Sequence, residues 1–142
     1  MSDTPLHYRT ITELAAMLRA GETTPTSLTE YLLARVEKLN GPLTAFNLVT
    51  ADRAMVEAEA AEALLKSGHD LGPLHGIPYA VKDLYDIVGL PTTAGSRTVE
   101  MTPKTEESEV TKRLAAAGMV VLGKTITVEF AKGIVGINNI QG

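Results

Sequence analysis

The sequence contains no cysteine. Disulfides, thiolate nucleophiles and cysteine-based metal sites are therefore excluded. Aromatic residues are scarce, at 4%, so Ala, Leu, Val and Ile must fill the core. Basic residues do not balance the acidic ones: 13 Lys and Arg stand against 17 Asp and Glu, a formal net charge of −4. That argues against a nucleic-acid surface, which needs a basic face. No run of like charges forms a tail. No apolar stretch reaches the roughly 18 residues that span a bilayer. The N-terminus, MSDTPLHYRT, has no apolar segment of the kind that marks a secretory leader. The three histidines, His7, His69 and His75, lack metal-ligand spacing. These absences set the expectation of a soluble cytoplasmic protein with no metal, no cofactor, no nucleic-acid partner and no membrane partner.

What is present is a globular composition. Of 142 residues, 44% are hydrophobic and 21% charged, enough for one domain with an ordinary core and no internal boundary. Thr10-Ile11-Thr12-Glu13 fits a capping box, followed by Ile11, Leu14, Ala15 and Leu18 at helical spacing up to Gly21. Thr24-Pro25 opens a second helix with proline at its first position, and Asn40-Gly41-Pro42 is expected to stop it. Ala45–Val49 is a short strand candidate. A third helix is expected over 51–67, closed by Gly68, with Met55, Ala58, Ala61 and Leu65 on one face and Glu57, Glu59 and Glu62 on a solvated one. Residues 89–98 read as loop. A fourth helix is expected over 109–117, with Ser108 as N-cap and Gly118 as a left-handed stop. Met119–Gly123, apolar on both faces, reads as a buried parallel strand. A short helix is expected over 128–133, and the remainder reads as loop. Helices interleaved with short apolar strands imply an α/β protein with a mixed, largely parallel sheet flanked by helices.

One literal motif fails its context. Gly118-Met-Val-Val-Leu-Gly123-Lys124-Thr125 satisfies G-x-x-x-x-G-K-[ST], the phosphate-binding P-loop pattern. That mechanism needs a strand before the first glycine and a flexible loop across the four intervening residues. Here a helix precedes Gly118 and the intervening residues are the best strand in the chain. Lys124 then reads as a strand-end surface lysine.

The stretch GPLHGIPYAVKDLYD, residues 72–86, places Lys82 at the end of an apolar run. Ile77, Tyr79, Ala80, Val81, Leu84 and Tyr85 could wall off its amine, and burial disfavours the charged form of a lysine. A neutral lysine there could act as a general base or activate a serine hydroxyl. The residues alone allow a second reading, in which Lys82 ends a strand, faces water and pairs loosely with Asp83. His75, Asp86 and Ser96 are similarly open between catalytic partners and ordinary loop residues.

GPLHGIPYAVKDLYDIVGLPTTAGS resembles the N-terminal signature of the amidase signature family. ITELAAMLRAGETT, YLLARVEKLNGPLTAFN, SEVTKRLAAAGMVVLGKTI and EFAKGIVGINN resemble further family segments in family order. The resemblance implies a hydrolase that cleaves carboxylic amides, of small-molecule substrates, by a Ser–cis-Ser–Lys mechanism. Lys82 is the family lysine by motif match, with its amine desolvated by the apolar run. The two serines have no counterpart in these residues, so the resemblance implies that this chain is the N-terminal part of a single amidase domain and is inactive alone. Two departures, Ile126 after Gly-Lys-Thr and Lys132 in the EFAKG segment, bear on substrate and subfamily. The segment from Thr127 to Asn139 looks more like the general amidases than the tRNA-dependent amidotransferase branch. Homo-oligomer formation is left open.

Overall fold

The computed structural model describes residues 4–139. A single 3-10 turn, Leu6–Tyr8, leads into α1, Ile11–Ala20. The capping box forms as the sequence implies: Thr10 Oγ1 accepts from Glu13 N, and Thr10 N donates to Glu13 Oε2 at 2.8 Å. Gly21 ends the helix with φ 71. Helix α2, Pro25–Leu43, is capped by Thr24, whose side chain accepts from Ser27 N.

The expected stop at Asn40-Gly41-Pro42 is instead helical, and α2 ends at Thr44, with φ 44. Pro42 gives up the donor that would bond Lys38 O, one helical bond at the helix end. Asn40 then fastens the helix end to the next strand: its Oδ1 accepts from Phe46 N at 2.7 Å and its Nδ2 donates to Phe46 O at 3.0 Å.

Strand β1 is Phe46–Val49, α3 is Ala51–Lys66, β2 is Pro78–Lys82, α4 is Glu109–Ala116 and β3 is Val120–Thr125. The strands form one sheet in the order β1-β3-β2. The sheet is mixed: β2 runs parallel to β3, and β1 antiparallel. As expected, β3 is the buried strand, and it lies at the centre. Ser108 caps α4 by accepting from Thr111 N, and Gly118 follows that helix with φ 74. The short helix expected over 128–133 reduces to one 3-10 turn, Glu129–Ala131, with Phe130 at φ 50. Phe130 N is drawn off to Ala94 O at 2.7 Å, which breaks the helical pattern there.

Three apolar clusters hold these elements. Leu14, Ala15 and Leu18 of α1 meet Leu28, Ile77 and Met119. Ala54 and Ala58 of α3 pack on Val120 and Leu122, with Leu32 and Leu33 of α2 alongside. The alanines bring α3 close to β3. Val81, Ile87 and Val121 form the cluster on the other face of the sheet.

The expected solvated face of α3 is corrected in part. Glu59 is exposed, but Glu57 Oε2 accepts from Val121 N at 2.9 Å. Glu62 accepts from Lys66 Nζ at 2.6 Å and from Thr26 N at 3.4 Å, which ties α3 to the start of α2. Backbone donors at a helix start and at the sheet draw these carboxylates inward, because such donors need acceptors. The Lys66 ammonium, with the Thr26 donors, holds the Glu62 carboxyl down at about 2, against an ordinary 4.5.

A depressed folded-state value means that Glu62 stabilises the fold above its unfolded value, and that this contribution disappears as pH falls through the folded one. Glu62→Gln should therefore destabilise the chain at pH 7 by about 0.5–1 kcal/mol, a partly exposed ion pair being worth no more. Urea denaturation of both forms should converge as pH falls from 4.5 towards 2. A difference that persists unchanged at low pH would show that the effect is not the carboxylate's charge.

Candidate active site

Alternation along β2 decides which side chains go inward. Val81 and the following Asp83 are buried, whereas Ala80 and Lys82 are exposed on the opposite face. Among the described residues Lys82 is thus exposed. Ile77 and Val81 pack into the core, and Ala80, Leu84 and Tyr85 are exposed beside it. The apolar run builds the core and does not enclose the amine. Among the described residues that amine has no partner.

Of the second reading, the strand-end position facing water is seen, but the loose pair of Lys82 with Asp83 does not form. Asp83 pairs instead with Lys124, whose Nζ lies 2.7 Å from Asp83 Oδ1, both side chains being essentially inaccessible. The expectation of a surface Lys124 is thus overturned. Lys124 Nζ also donates to Pro91 O at 2.8 Å and to Thr92 Oγ1 at 2.6 Å. Asp83 Oδ2 accepts from Asn47 Nδ2 at 2.7 Å, from Thr93 N at 3.1 Å and from the Thr93 hydroxyl. The Asp83 backbone is held as well: its N–H donates to Thr125 O and its C=O accepts from Ala94 N, each at 3.0 Å.

Two irregularities in the sheet make this convergence geometrically open. Tyr79 lies opposite Val121 but Ala80 lies opposite Gly123, so one residue of β3 is skipped. The slip places Lys124 opposite Val81 and Thr125 opposite Lys82. Without it Lys124 would share a face with Lys82, since a one-residue shift moves a side chain across the sheet. On β1, Phe46 lies opposite Thr125 and Leu48 opposite Lys124, so Asn47 is the extra residue. Its side chain reaches Asp83. Gly123 permits the close approach of β1: a Cβ there would lie 2.1 Å from Leu48 O.

The loop after β2 is built into the same frame. Gly95 has φ 68, and a Cβ on it would lie 2.5 Å from Thr127 O. Asn138 Nδ2 donates to Gly95 O at 2.9 Å and to Thr127 O at 2.6 Å. Ser96 is buried and its Oγ donates to Glu129 Oε1 at 2.6 Å. His75 lies elsewhere, buried against Gly118, with Nδ1 accepting from Leu71 N at 3.1 Å. Burial lowers its pKa, opposed by Asp70. The Asp86 carboxylate sits 3.8 Å from Lys104 Nζ. The structure therefore joins Ser96 to the loop frame and sets His75 and Asp86 apart in their own local contacts. The sequence reading missed Lys124, Asp83 and Asn47 as a unit. The available signal was a lysine continuing the most apolar strand, which asks for a buried counter-charge.

No group of three or more His, Asp or Glu among the described residues could hold a metal ion, and no helix there is long and apolar enough to cross a membrane. The P-loop reading does not fit the geometry. Val120–Leu122 is extended in the sheet, and the Lys124 ammonium is committed to Asp83, Pro91 and Thr92. Titration with ATP and magnesium should give no saturable heat and no thermal shift. Micromolar binding lost in Lys124→Ala would overturn this.

The Amidase family model matches residues 27–142. The glutamyl-tRNA(Gln) amidotransferase A subunit of Halorhodospira halophila is 41% identical over 128 residues, covering 90% of this chain and 26% of that protein. Its counterpart in Chloroflexus aurantiacus is 43% identical over 130 residues, covering 92% of this chain and 27% of that protein. Among solved structures, the peptide amidase from Stenotrophomonas maltophilia is 34% identical with a TM-score of 0.84, over 90% of this chain and 26% of that one. A vestigial protein complex, described for the evolutionary origins of an s-triazine catabolic enzyme, is 36% identical with a TM-score of 0.90, over 94% of this chain and 30% of that one. The chain thus spans only 26–27% of the length of these curated relatives. By the family match and these likenesses together, the chain belongs to the Amidase family.

Proposed function

We propose that this chain is the N-terminal part of a single amidase domain, that the complete protein hydrolyses carboxylic amides of small molecules in the cytoplasm, and that Lys82 is the lysine of a Ser–cis-Ser–Lys set. In that mechanism the neutral amine takes a proton from a bridging serine, which in turn deprotonates the nucleophilic serine. The nucleophile attacks the amide carbonyl, backbone N–H groups hold the oxyanion, and ammonia or an amine leaves. Water then cleaves the acyl-enzyme to the acid. This chain supplies the lysine and the frame around it.

The observation that supports the reading is the setting of Lys82. Its backbone lies at the end of a strand beside the central strand of the sheet, followed directly by the buried Asp83, while its amine stands free on the exposed face. A general base needs a fixed origin and a lone pair not already bonded. The desolvation that keeps such an amine neutral must then come from whatever covers this face.

A second reading has its own support. The two amidotransferase relatives are 41–43% identical to the chain, against 34–36% for the two amidase-like structures. In that reading the same lysine would serve one component of a multi-subunit amidotransferase. Release of ammonia from glutamine only in the presence of partner subunits would favour it. Turnover of simple amides without partners would favour the first.

In an amidase carrying this chain, Lys82→Ala should lower kcat/KM by about 10²–10⁴-fold, the usual worth of general acid–base catalysis. Lys82→Arg should do the same, because a guanidinium stays charged. Substantial activity in Lys82→Arg would sink the base assignment.

Residues 1–142 expressed alone should be inactive and should associate or unfold readily. Among the described residues β1 and β2 each have a sheet neighbour on one side only, and Phe130, Ile134, Val135 and Ile137 form an exposed apolar run. Open strand edges and apolar patches promote pairing between copies. Sedimentation and amide hydrolysis test this, and a cooperatively unfolding monomer with lysine-dependent cleavage would contradict it.

A further inference from the structure

Lys124 is a second lysine beside the candidate base, and its surroundings decide what it can do. An ammonium has three donors and no acceptor. Lys124 Nζ has as many partners: Asp83 Oδ1 at 2.7 Å, Pro91 O at 2.8 Å and Thr92 Oγ1 at 2.6 Å. Held on three sides and inaccessible to solvent, its nitrogen is committed to these contacts. Its charge is spent on structure.

That structure converges on the residue next to Lys82. One Asp83 carboxylate joins β1 through Asn47, β3 through Lys124, and the loop after β2 through Thr93. Both backbone groups of Asp83 are also bonded, to Thr125 O and Ala94 N. Lys82 O accepts from Leu84 N at 2.7 Å and from Tyr85 N at 3.1 Å. The Lys82 Cα is therefore held from both sides while its side chain stays unbonded.

We propose that the buried Asp83–Lys124 pair, anchored by Asn47, is the positioning element for Lys82, which fixes the origin of the base without touching substrate. The inference rests on the reading of Lys82 as the proton acceptor. A misplacement of about 1 Å can cost about 100-fold in rate. Because the pair faces away from Lys82, its loss should act on kcat and leave KM alone, the pattern of an effect confined to the transition state.

The test uses an amidase carrying this chain, with four variants: Lys82→Ala, Lys124→Met, Asp83→Asn with Lys124→Met, and Asn47→Ala. For each, kcat, KM and the melting temperature are measured. Lys124→Met should lower both kcat, by about 100-fold, and the melting temperature, with KM unchanged. The double variant removes both buried charges and should recover melting temperature while kcat stays low. Asn47→Ala keeps the pair and should lower kcat about tenfold at unchanged KM. If Lys124→Met does not fold, the double variant and Asn47→Ala decide. With Lys82→Ala inactive, wild-type kcat in the double variant or in Asn47→Ala overturns the positioning role alone, as does a raised KM at unchanged kcat. Full activity in Lys82→Ala overturns the base reading and the positioning role with it.

Discussion

The contact on which this half-exposed sheet depends is the ion pair between Asp83 and Lys124. Both groups are removed from water, and taking two charges out of water costs several kcal/mol for each ion. The cost is offset only when geometry is good and the remaining donors and acceptors are met. Here Pro91 and Thr92 accept from Lys124, and Thr93 and Asn47 donate to Asp83 Oδ2, while among the described residues Asp83 Oδ1 faces only the Lys124 ammonium and Asn47 Oδ1 is buried without a hydrogen-bond partner. Losing one partner of such a pair typically costs about 3–5 kcal/mol, because the survivor is left buried and uncompensated.

The pair in turn depends on backbone irregularity. Regular pairing of β2 with β3 would bring the two lysines to one face. The slip between Tyr79 and Ala80 sends Lys124 to the other face, and the extra residue in β1 frees Asn47 to follow. Gly123 is what lets β1 lie close enough, since any side chain there would run into Leu48 O. Small deviations in a short sheet therefore separate a lysine bonded inside the structure from one left exposed at its edge.

The surroundings of the site divide along the same line. One face of the sheet packs on α3 through Val120 and Leu122, and the other, with Val81, holds the Asp83–Lys124 pair and the loop frame. At the β2 edge Ala80 and Lys82 are exposed, and so is the apolar run from Phe130 to Ile137. The proposed amide chemistry asks for such a division. A base must be anchored at its Cα and available at its nitrogen, while the charges that anchor it must be neutralised elsewhere.

Local structure was determined by the sequence itself. The capping box at Thr10 and Glu13, the proline start at Pro25, the Ser108 cap and the Gly118 stop all rest on interactions within a few residues. A reader of the chain has everything needed to place them. The centre of the sheet was also legible, because Val120–Leu122 is too apolar to sit anywhere else, and the resemblance of residues 72–96 marked Lys82 as the residue to watch. Tertiary structure decided what depends on partners distant in sequence. The helix runs through Gly41-Pro42 because Asn40 finds Phe46, and Glu57 turns inward because Val121 offers an N–H. Above all, Lys124 is buried and Lys82 exposed because Asp83, forty-one positions before Lys124, is brought beside it by a one-residue slip. No pattern of hydrophobicity records such a slip, since it is set by how two strands meet.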